Sequence, residues 1–589
     1  MRPDTISLFV TFLLFAASPA LGQVAPFTGA TGDGITDDQP VLQAEIDRLC
    51  KLDEKDRILK LPAGDFRLGD DDGDLTEFYK SGLYIGECDG FKIIGSGRTV
   101  TRLLAGNDQG QSMIVVCDLE QGAGHEVPGN SSCSGGGSGE NITYRSYVSD
   151  LTFYDPDPIA SGGQNLNVIF APVATGGTPA FDDAVTWTGG TGDIIEMGAE
   201  LTGGAGVRYG ITNLTGVLPA VGVTITNGVW TSGATISTRG IAVEGSHGFS
   251  SFYSDGLRME RIGCLDISDE CVDLHKATTN ATIRDVYSVG VGRVAEGGST
   301  IAIDGSNNIL INGFFIELGK RSNVATANGS GIDIATNTTT FPNENIWVKN
   351  GIIQETSVAL EDRVTTGMRL AIGDVSSIIR NVNISNIMID VDGANEVAFK
   401  LSAINGEGQV SISQARLVGL VETQASGGWQ DTNATGVAFT ATHTPTTAGD
   451  PGMTTAFKRM RGNSLLFPNH GSSIGNVLAY STMVGNHFGP TALNDCVVLN
   501  TEGVAIVGNT FDDCGGASGG LDVAIQSNAG ADFLTVTGNA YSNNGHSCCR
   551  YYVGWTGGGG AAAGNDANCG GSSARGADTV CGFNSSETN

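Results

Sequence analysis

Short segments in which apolar and polar residues alternate recur along most of the chain. Each segment begins at an Asn-, Ser- or Gly-bearing turn, continues as an alternating strand, passes a polar corner and ends in a second strand. The segments recur roughly every 20 to 35 residues, a period typical of solenoids. Because no crossover helices separate these short strands, the pattern predicts an all-β fold that coils as a parallel β-helix with Ile, Val and Leu stacked inside. Such segments begin at Thr279, Ser306, Asn343, Ser376 and Glu502.

Two parts of the chain depart from this rhythm. Behind the N-cap candidates Thr36–Asp38, apolar residues recur at near-helical spacing, namely Val41, Leu42, Ile46, Leu49 and Cys50. This spacing predicts a short amphipathic helix that covers an open end of the sheet. Residues 176–238 read as a compact series of short strands, a small β-rich insertion. A wider binding surface and an insertion without a ligand are both open interpretations of that segment.

The N-terminal residues 1–22 have the layout of a signal peptide. Arg2 precedes the apolar stretch Ile6–Ala17, and the small residues Ala20 and Gly22 lie just before Gln23. That stretch is too short to span a hydrocarbon core of ~30 Å, and no later segment approaches that length. We therefore expect an exported protein, either secreted to the extracellular medium or periplasmic, with no membrane partner.

The net charge of the chain restricts which partners the protein can bind. The 589 residues include 63 acidic and 32 basic ones, a formal net charge of −31, which repels nucleic acids and anionic membrane surfaces. Acidic turns do suit Ca²⁺, which prefers oxygen ligands.

The 12 cysteines are an even count, and in an exported protein we expect some of them to pair. Four lie in a Gly-rich tail that disulfides would hold together: Cys548, Cys549, Cys569 and Cys581.

These observations predict five parts along the chain. They are a signal peptide at 1–22, an N-terminal cap with the first rungs of the β-helix at 23–175, the β-rich insertion at 176–238, the main parallel β-helix at 239–545 and a Cys/Gly-rich tail at 546–589.

The N-terminal region also resembles a known superfamily. The stretch G-A-T-G-D-G-I-T-D-D at Gly29–Asp38, then V-L-Q-A-E-I-D at Val41–Asp47 and L-P-A-G at Leu61–Gly64, is similar to the amino-terminal signature of pectin-lyase-like proteins. These include pectate-lyase-3-type proteins, polygalacturonases and many phage tail spikes. The resemblance implies a right-handed parallel β-helix. It specifies the fold better than the activity, because one solenoid carries many chemistries.

Alignment of the rungs by their apolar alternation predicts a polar patch on the outside of the coil. The aligned segments are Ile241–Glu244, Val272–His275, Ile301–Asp304, Ile332–Ala335 and Met368–Ala371. One outward column then holds Glu244, His275 and Asp304, and the next holds Asp273, Ala302, Asp333 and Arg369. Neighbouring rungs lie ~4.8 Å apart, so these acids and the imidazole would share one patch. We expect Asp273, His275 and Asp304 to be catalytic, because crowded carboxylates raise a pKa as a general acid requires.

A second motif precedes this patch. Asp269, Glu270 and Cys271 resemble the Asp-Asp-Cys element of polygalacturonases, which implies that Asp269 is the general acid and Glu270 the neighbouring base. The other motifs of that family are replaced here. S-T-R-G stands at 237–240 in place of Asn-Thr-Asp-Gly, G-G-S at 297–299 in place of Gly-His-Gly, and I-D-I at 332–334 in place of Arg-Ile-Lys.

The sequence therefore predicts a secreted enzyme that degrades an extended polysaccharide, with several alternatives open. Hydrolysis by paired carboxylates requires no cofactor. A lyase or epimerase acting on a uronic-acid polymer would use Ca²⁺ held by Asp273, Asp304 and Asp333, with His275, Lys320 or Arg321 as base. Substrate contacts are expected from Asp333, Lys320, Arg321 and Arg369. A non-catalytic carbohydrate-binding or tailspike-like protein is the alternative from another class, and monomer and trimer are both open.

Overall fold

A computed structural model gives the fold of most of the chain. It describes residues 25–69, 82–86, 88–106, 112–116, 143–156, 167–173, 184–200, 207–216, 223–226, 234–242, 247–267, 269–275, 277–292, 298–318, 330–336, 341–355, 366–372, 377–391, 397–403, 406–425, 429–440, 453–454, 457–467, 474–475, 477–491, 496–499, 501–512, 514, 525–527, 535–542, 549–551, 561–565 and 580–583. The predicted signal peptide at 1–22 lies outside these residues.

Two long parallel sheets form the body of the protein. The first, which we call the site sheet, has 14 strands in the described part of the chain: Leu83–Ile85, Ser112–Val116, His247–Phe252, Val272–His275, Ser299–Asp304, Ser330–Thr336, Thr366–Ile372, Val397–Ala403, Leu420–Ala425, Met453–Thr454, Ile474–Gly475, Val497–Leu499, Ile525–Ser527 and Cys549–Tyr551. Successive strands of this sheet come from successive turns of the chain, and each pair is parallel.

The second, which we call the back sheet, has 25 strands among the described residues. They are Asp33–Asp37, Ile58–Lys60, Gly64–Leu68, Lys92–Ile94, Thr101–Ala105, Tyr147–Tyr154, Arg258–Leu265, Thr282–Val289, Asn307–Leu318, Asn343–Glu355, Ile378–Asp390, Glu407–Ser413, Arg416–Val418, Asn433–Thr435, Ala438–Thr440, Arg459–Arg461, Ser464–Phe467, Thr482–Val484, His487–Thr491, Ala505–Val507, Thr510–Asp512, Thr535–Thr537, Ala540–Ser542, Ala561–Asn565 and Val580–Phe583. A further two-stranded pair joins Thr143–Tyr144 to Ser254–Asp255.

The core lies between these sheets and is built from ladders of aligned apolar residues. In the site sheet Val272, Ile301, Ile332 and Met368 are direct partners from turn to turn, and all four are fully buried. Residues two positions apart on a strand share a face, so the residue after each of these points outward. This register confirms the predicted parallel β-helix and the predicted alignment of four of its rungs.

Asparagines form the corners of the back sheet. Asn350 and Asn386 adopt left-handed backbone conformations, with φ of 58° and 51°, which Asn tolerates better than most residues. The side chain of Asn386 donates to Asn350 over 2.8 Å, and Asn350 donates to Asn312 over 2.7 Å. These side-chain ladders hold successive turns in register at the bend.

The predicted assignment of Ile241–Glu244 to a turn of the β-helix is wrong. Ile241 and Ala242 pair antiparallel with Val168 and Asn167 in a separate six-stranded sheet, and Glu244 lies outside the described residues. That sheet comprises Asn167–Val173, Ala184–Trp187, Gly190–Glu200, Val207–Gly216, Thr224–Ile225 and Ala234–Ala242, so its strands extend beyond 176–238. A stretch of alternating apolar and polar residues fits a strand of a parallel sheet and a strand of an antiparallel sheet equally well. The alternation therefore assigned this segment to the wrong sheet. The strand that precedes Val272–His275 in the site sheet is His247–Phe252.

The predicted helix is present at Gln39–Cys50, followed by a short 3₁₀ turn at Glu54–Asp56. It buries Leu42, Ile46 and Leu49 in the core at the N-terminal end. Among the described residues no helix is long and apolar enough to cross a membrane.

Disulfides join Cys50 to Cys88, Cys264 to Cys271 and Cys496 to Cys514. The pairing expected in the tail lies outside the described residues or side chains.

Candidate functional site

The outward face of the site sheet carries two adjacent columns of polar side chains. One column continues from Asp273 through Ala302 and Asp333, and then through the cations Arg369 and Lys400 to Glu422. The other column continues from Phe252 through His275 to Asp304 and Ala335. Asp273, His275, Asp304, Asp333 and Arg369 therefore lie in the positions that the sequence alignment predicted.

His275 lies between two buried carboxylates. Its Nε2 is 2.7 Å from Asp273 Oδ1, and its Nδ1 is 3.6 Å from Asp304 Oδ2. The ring also stacks on Phe252, with centroids 5.3 Å apart and planes inclined by 16°. Asp273 and Asp304 are 3% and 8% exposed, so the acids and the ring packing fix the orientation of the imidazole.

A second histidine, which the sequence analysis missed, completes the cluster. His247 Nε2 is 3.4 Å from Asp269 Oδ2, and Nδ1 is 3.3 Å from Glu270 Oε2 and 3.9 Å from Asp273 Oδ2. The sequence alignment assigned residues 241–244 to the turn that His247–Phe252 occupies, so His247 was not considered. The correct strand, H-G-F-S-S-F, breaks the alternation, because Ser251 takes the inward position of Leu274 and Phe252 the outward position of His275. Apolar alternation therefore favoured residues 241–244 and gave no signal for His247.

The corner that presents Asp269 and Glu270 is held in place covalently and by the backbone. The Cys264–Cys271 disulfide closes this corner, and both cysteines are fully buried. Glu270 accepts a hydrogen bond at its carbonyl from the Gly248 N–H over 3.0 Å. A Cβ on Gly298 would lie 3.2 Å from Asp269 Cα and 2.8 Å from the Gly292 backbone, so glycine is required for this close approach. The two carboxyl groups are thus preorganised.

Burial and mutual repulsion shift several pKa values in this cluster. The pKa of Glu270 is raised well above its ordinary value, first by burial and then by the charge of Asp269. Burial lowers the pKa of His247, but the charges of Asp269 and Asp273 outweigh it and the net pKa is raised. The pKa of Asp333 is raised to about 6 by burial, with a smaller increase from Asp304, while Arg369 opposes it. Asp333 therefore keeps its proton into the mildly acidic range.

The cations of the first column are paired with acids. Arg369 Nη1 donates to Asp333 Oδ2 over 3.2 Å, and Lys400 Nζ lies 2.8 Å from Glu422 Oε2. Lys400 and Glu422 were not predicted. Lys320 and Arg321, which were predicted to contact substrate, lie outside the described residues. The expected Ca²⁺ site at Asp273, Asp304 and Asp333 stays a prediction.

The raised pKa of Asp333 predicts a stability effect. An acid whose folded-state pKa exceeds its unfolded value of 3.8 destabilises the fold once ionised, so stability falls as pH rises from about 4 to about 6. Asp333→Asn removes this ionisation and should stabilise the protein by about 2–3 kcal/mol at pH 7, with little gain at pH 3.5. Chemical denaturation at both pH values measures the difference. An equal effect at both pH values would contradict it.

The chain is similar to solved structures but matches no protein-family model and no curated protein. Solved structures do match, among them the A-module of the mannuronan C-5 epimerase AlgE6 of Azotobacter vinelandii, with 13% identity, TM-score 0.41, and coverage of 95% of this chain and 98% of that chain.

The chain is a right-handed parallel β-helix. Two further structures with a comparable likeness are a tailspike mutant of the Escherichia coli bacteriophage HK620 in complex with a hexasaccharide, and the Streptococcus pneumoniae surface protein and adhesin PfbA. The tailspike is 9% identical, with TM-score 0.46 and coverage of 90% of this chain and 77% of that chain. The adhesin is 11% identical, with TM-score 0.40 and coverage of 89% and 98%. At these identities the likeness concerns the fold alone.

Proposed function

We propose that this protein hydrolyses glycosidic bonds of an extended polysaccharide at the outward face of the site sheet. The observation that carries the proposal is the pair Asp304 and Asp333, two carboxyl groups from adjacent turns whose surroundings differ. Both are 8% exposed, but Asp304 faces the imidazole of His275 at 3.6 Å, whereas Asp333 faces Arg369 at 3.2 Å and has a pKa raised to about 6. Acid–base cleavage of a glycoside requires two carboxyl groups, one that donates a proton and one that accepts a proton.

The assigned roles follow from these surroundings. Asp333 holds a proton below about pH 6 and donates it to the oxygen of the leaving sugar as the C–O bond breaks. Asp304, whose carboxyl group lies 3.6 Å from His275 Nδ1, accepts a proton from the water that forms the new C–O bond. Asp273 lies 2.7 Å from the other ring nitrogen of His275 and fixes its orientation, so His275 is a positioning residue.

The shape of the face supports an extended substrate. From Asp273 to Glu422 the first column crosses five steps between turns, a length of about 24 Å at 4.8 Å per step. Every position in it except Ala302 is charged or titratable. A face of this length suits a chain of several sugars better than one small molecule.

The test is incubation of the purified protein with a panel of neutral and uronic-acid polysaccharides. We expect new reducing ends on one of them, without unsaturated uronate absorbance, and a rate that falls as pH rises through about 6 as Asp333 loses its proton. Unsaturated products would indicate β-elimination and overturn the hydrolytic assignment. Binding of a polysaccharide without any product would instead favour a carbohydrate-binding protein.

A further inference from the structure

The proposed hydrolysis assigns no role to the cluster of His247, Asp269 and Glu270. Asp304 and Asp333 supply the acid and the base, so Asp269 and Glu270 have no part in that chemistry. A ring nitrogen of His247 and one carboxylate oxygen from each of these acids all lie within 4.8 Å of one another. Two metal–ligand bonds of about 2.0–2.2 Å span about 4.4 Å at most, so one ion can contact all three atoms once the side chains shift by a few tenths of an ångström.

An unsatisfied buried polar atom points to the same place. His247 Nδ1 is buried and makes no hydrogen bond with any described residue. Asp273 is only 3% exposed, and its Oδ2 lies 3.9 Å from His247 Nδ1. Buried polar atoms without hydrogen bonds are rare in native proteins, and an ion or a catalytic role is among the usual reasons for them.

The charge balance favours a cation. Among the described residues, Glu270 and Asp273 form their ion pairs with histidines and with no Lys or Arg. Two or more carboxylates that are buried together with no permanent positive charge are costly unless something neutralises them. A dication between Asp269 and Glu270 would remove that cost.

We propose that His247, Asp269 and Glu270 bind one divalent transition-metal ion of the Zn²⁺ type. Imidazole nitrogen and carboxylate oxygen are both ligands of Zn²⁺ and similar transition-metal ions, whereas Ca²⁺ is bound by six to eight oxygens. Asp273 Oδ2 lies 3.9 Å from His247 Nδ1 and adds a further carboxylate charge beside the three ligands. The Cys264–Cys271 disulfide closes the corner that carries Asp269 and Glu270, two of the three ligands.

Metal binding can be tested without any substrate, so its failure is distinguishable from failure of the proposed hydrolysis. Chelator-treated protein is titrated calorimetrically with ZnCl₂, CoCl₂ and CaCl₂. We expect one Zn²⁺ or Co²⁺ per chain and at least tenfold weaker binding in His247→Gln and in Glu270→Gln. His487→Gln, which alters a histidine on the back sheet, is the matched control and should bind as the wild type does.

The coordination itself gives a second readout that needs no variant. X-ray absorption of the Zn²⁺-loaded wild-type protein should show one imidazole nitrogen among oxygen ligands. Absence of Zn²⁺ and Co²⁺ binding, equal binding in His247→Gln, or a site that takes Ca²⁺ in preference would each overturn the proposal. Circular dichroism of the variants establishes that they are folded.

Discussion

Asp304→Asn should lower the turnover rate on the cleaved polysaccharide by about 10²–10⁴-fold, with little change in KM. The amide keeps the size and position of the side chain beside His275, but it cannot accept the proton of the attacking water. A residue that acted only in substrate binding would raise KM instead. Steady-state kinetics with reducing-end detection separate these two cases.

Asp431→Asn is the matched control for this substitution. Asp431 lies at an exposed corner near the back sheet with φ of 50°, a conformation that Asn also adopts readily, and its ion pair with Lys458 spans 3.8 Å. The same loss of one carboxylate there should leave the turnover rate unchanged. Full activity in Asp304→Asn, or equal losses in both variants, would exclude Asp304 as the base.

The pairing of Asp304 with Asp333 explains why a buried acid is kept at a cost in stability. Burial raises the pKa of Asp333 to about 6, and the same burial destabilises its ionised form at neutral pH. Arg369 lowers this cost without removing it. A proton donor for mildly acidic conditions requires such a compromise, and acids shifted in this way are typical of functional sites.

The sequence could predict the fold and part of the site for one physical reason. Burial of Val272, Ile301, Ile332 and Met368 in one ladder fixes the register of every residue on those strands, so the outward neighbours Asp273, Asp333 and Arg369 follow from the pattern. The approach of Asp269 and Glu270 to this patch could also be expected, since they precede the same strand.

The rest of the site depends on the three-dimensional path of the chain. His247 enters the cluster because the antiparallel sheet leaves the coil at Asn167 and returns before the strand His247–Phe252. Alternation alone cannot distinguish the last strand of that sheet from the next rung. The pKa shifts of Glu270 and Asp333 likewise require burial and neighbours that no sequence pattern specifies.

The C-terminal half of the coil should depend on a buried ladder of asparagines. Asn463, Asn486, Asn509 and Asn539 lie on consecutive turns and are at most 3% exposed. Asn509 Oδ1 accepts from the main-chain N–H and from the side chain of Asn486 over 2.8 and 2.9 Å. Its Nδ2 donates to the Met483 carbonyl and to Asn539 Oδ1 over 3.0 and 2.9 Å.

Asn509→Leu should therefore destabilise the protein by about 3–5 kcal/mol, because it removes four buried hydrogen bonds and leaves the Asn486 N–H without its partner. The measurement is the denaturant midpoint together with hydrogen exchange at the Asn486 amide, since a solenoid can lose neighbouring turns separately. Asn386→Gly is the control, because it removes one exposed ladder bond at a corner where Gly adopts φ of 51° without strain. If both variants cost under ~1 kcal/mol, the interior ladder does not stabilise the coil, and apolar stacking alone must hold these turns together.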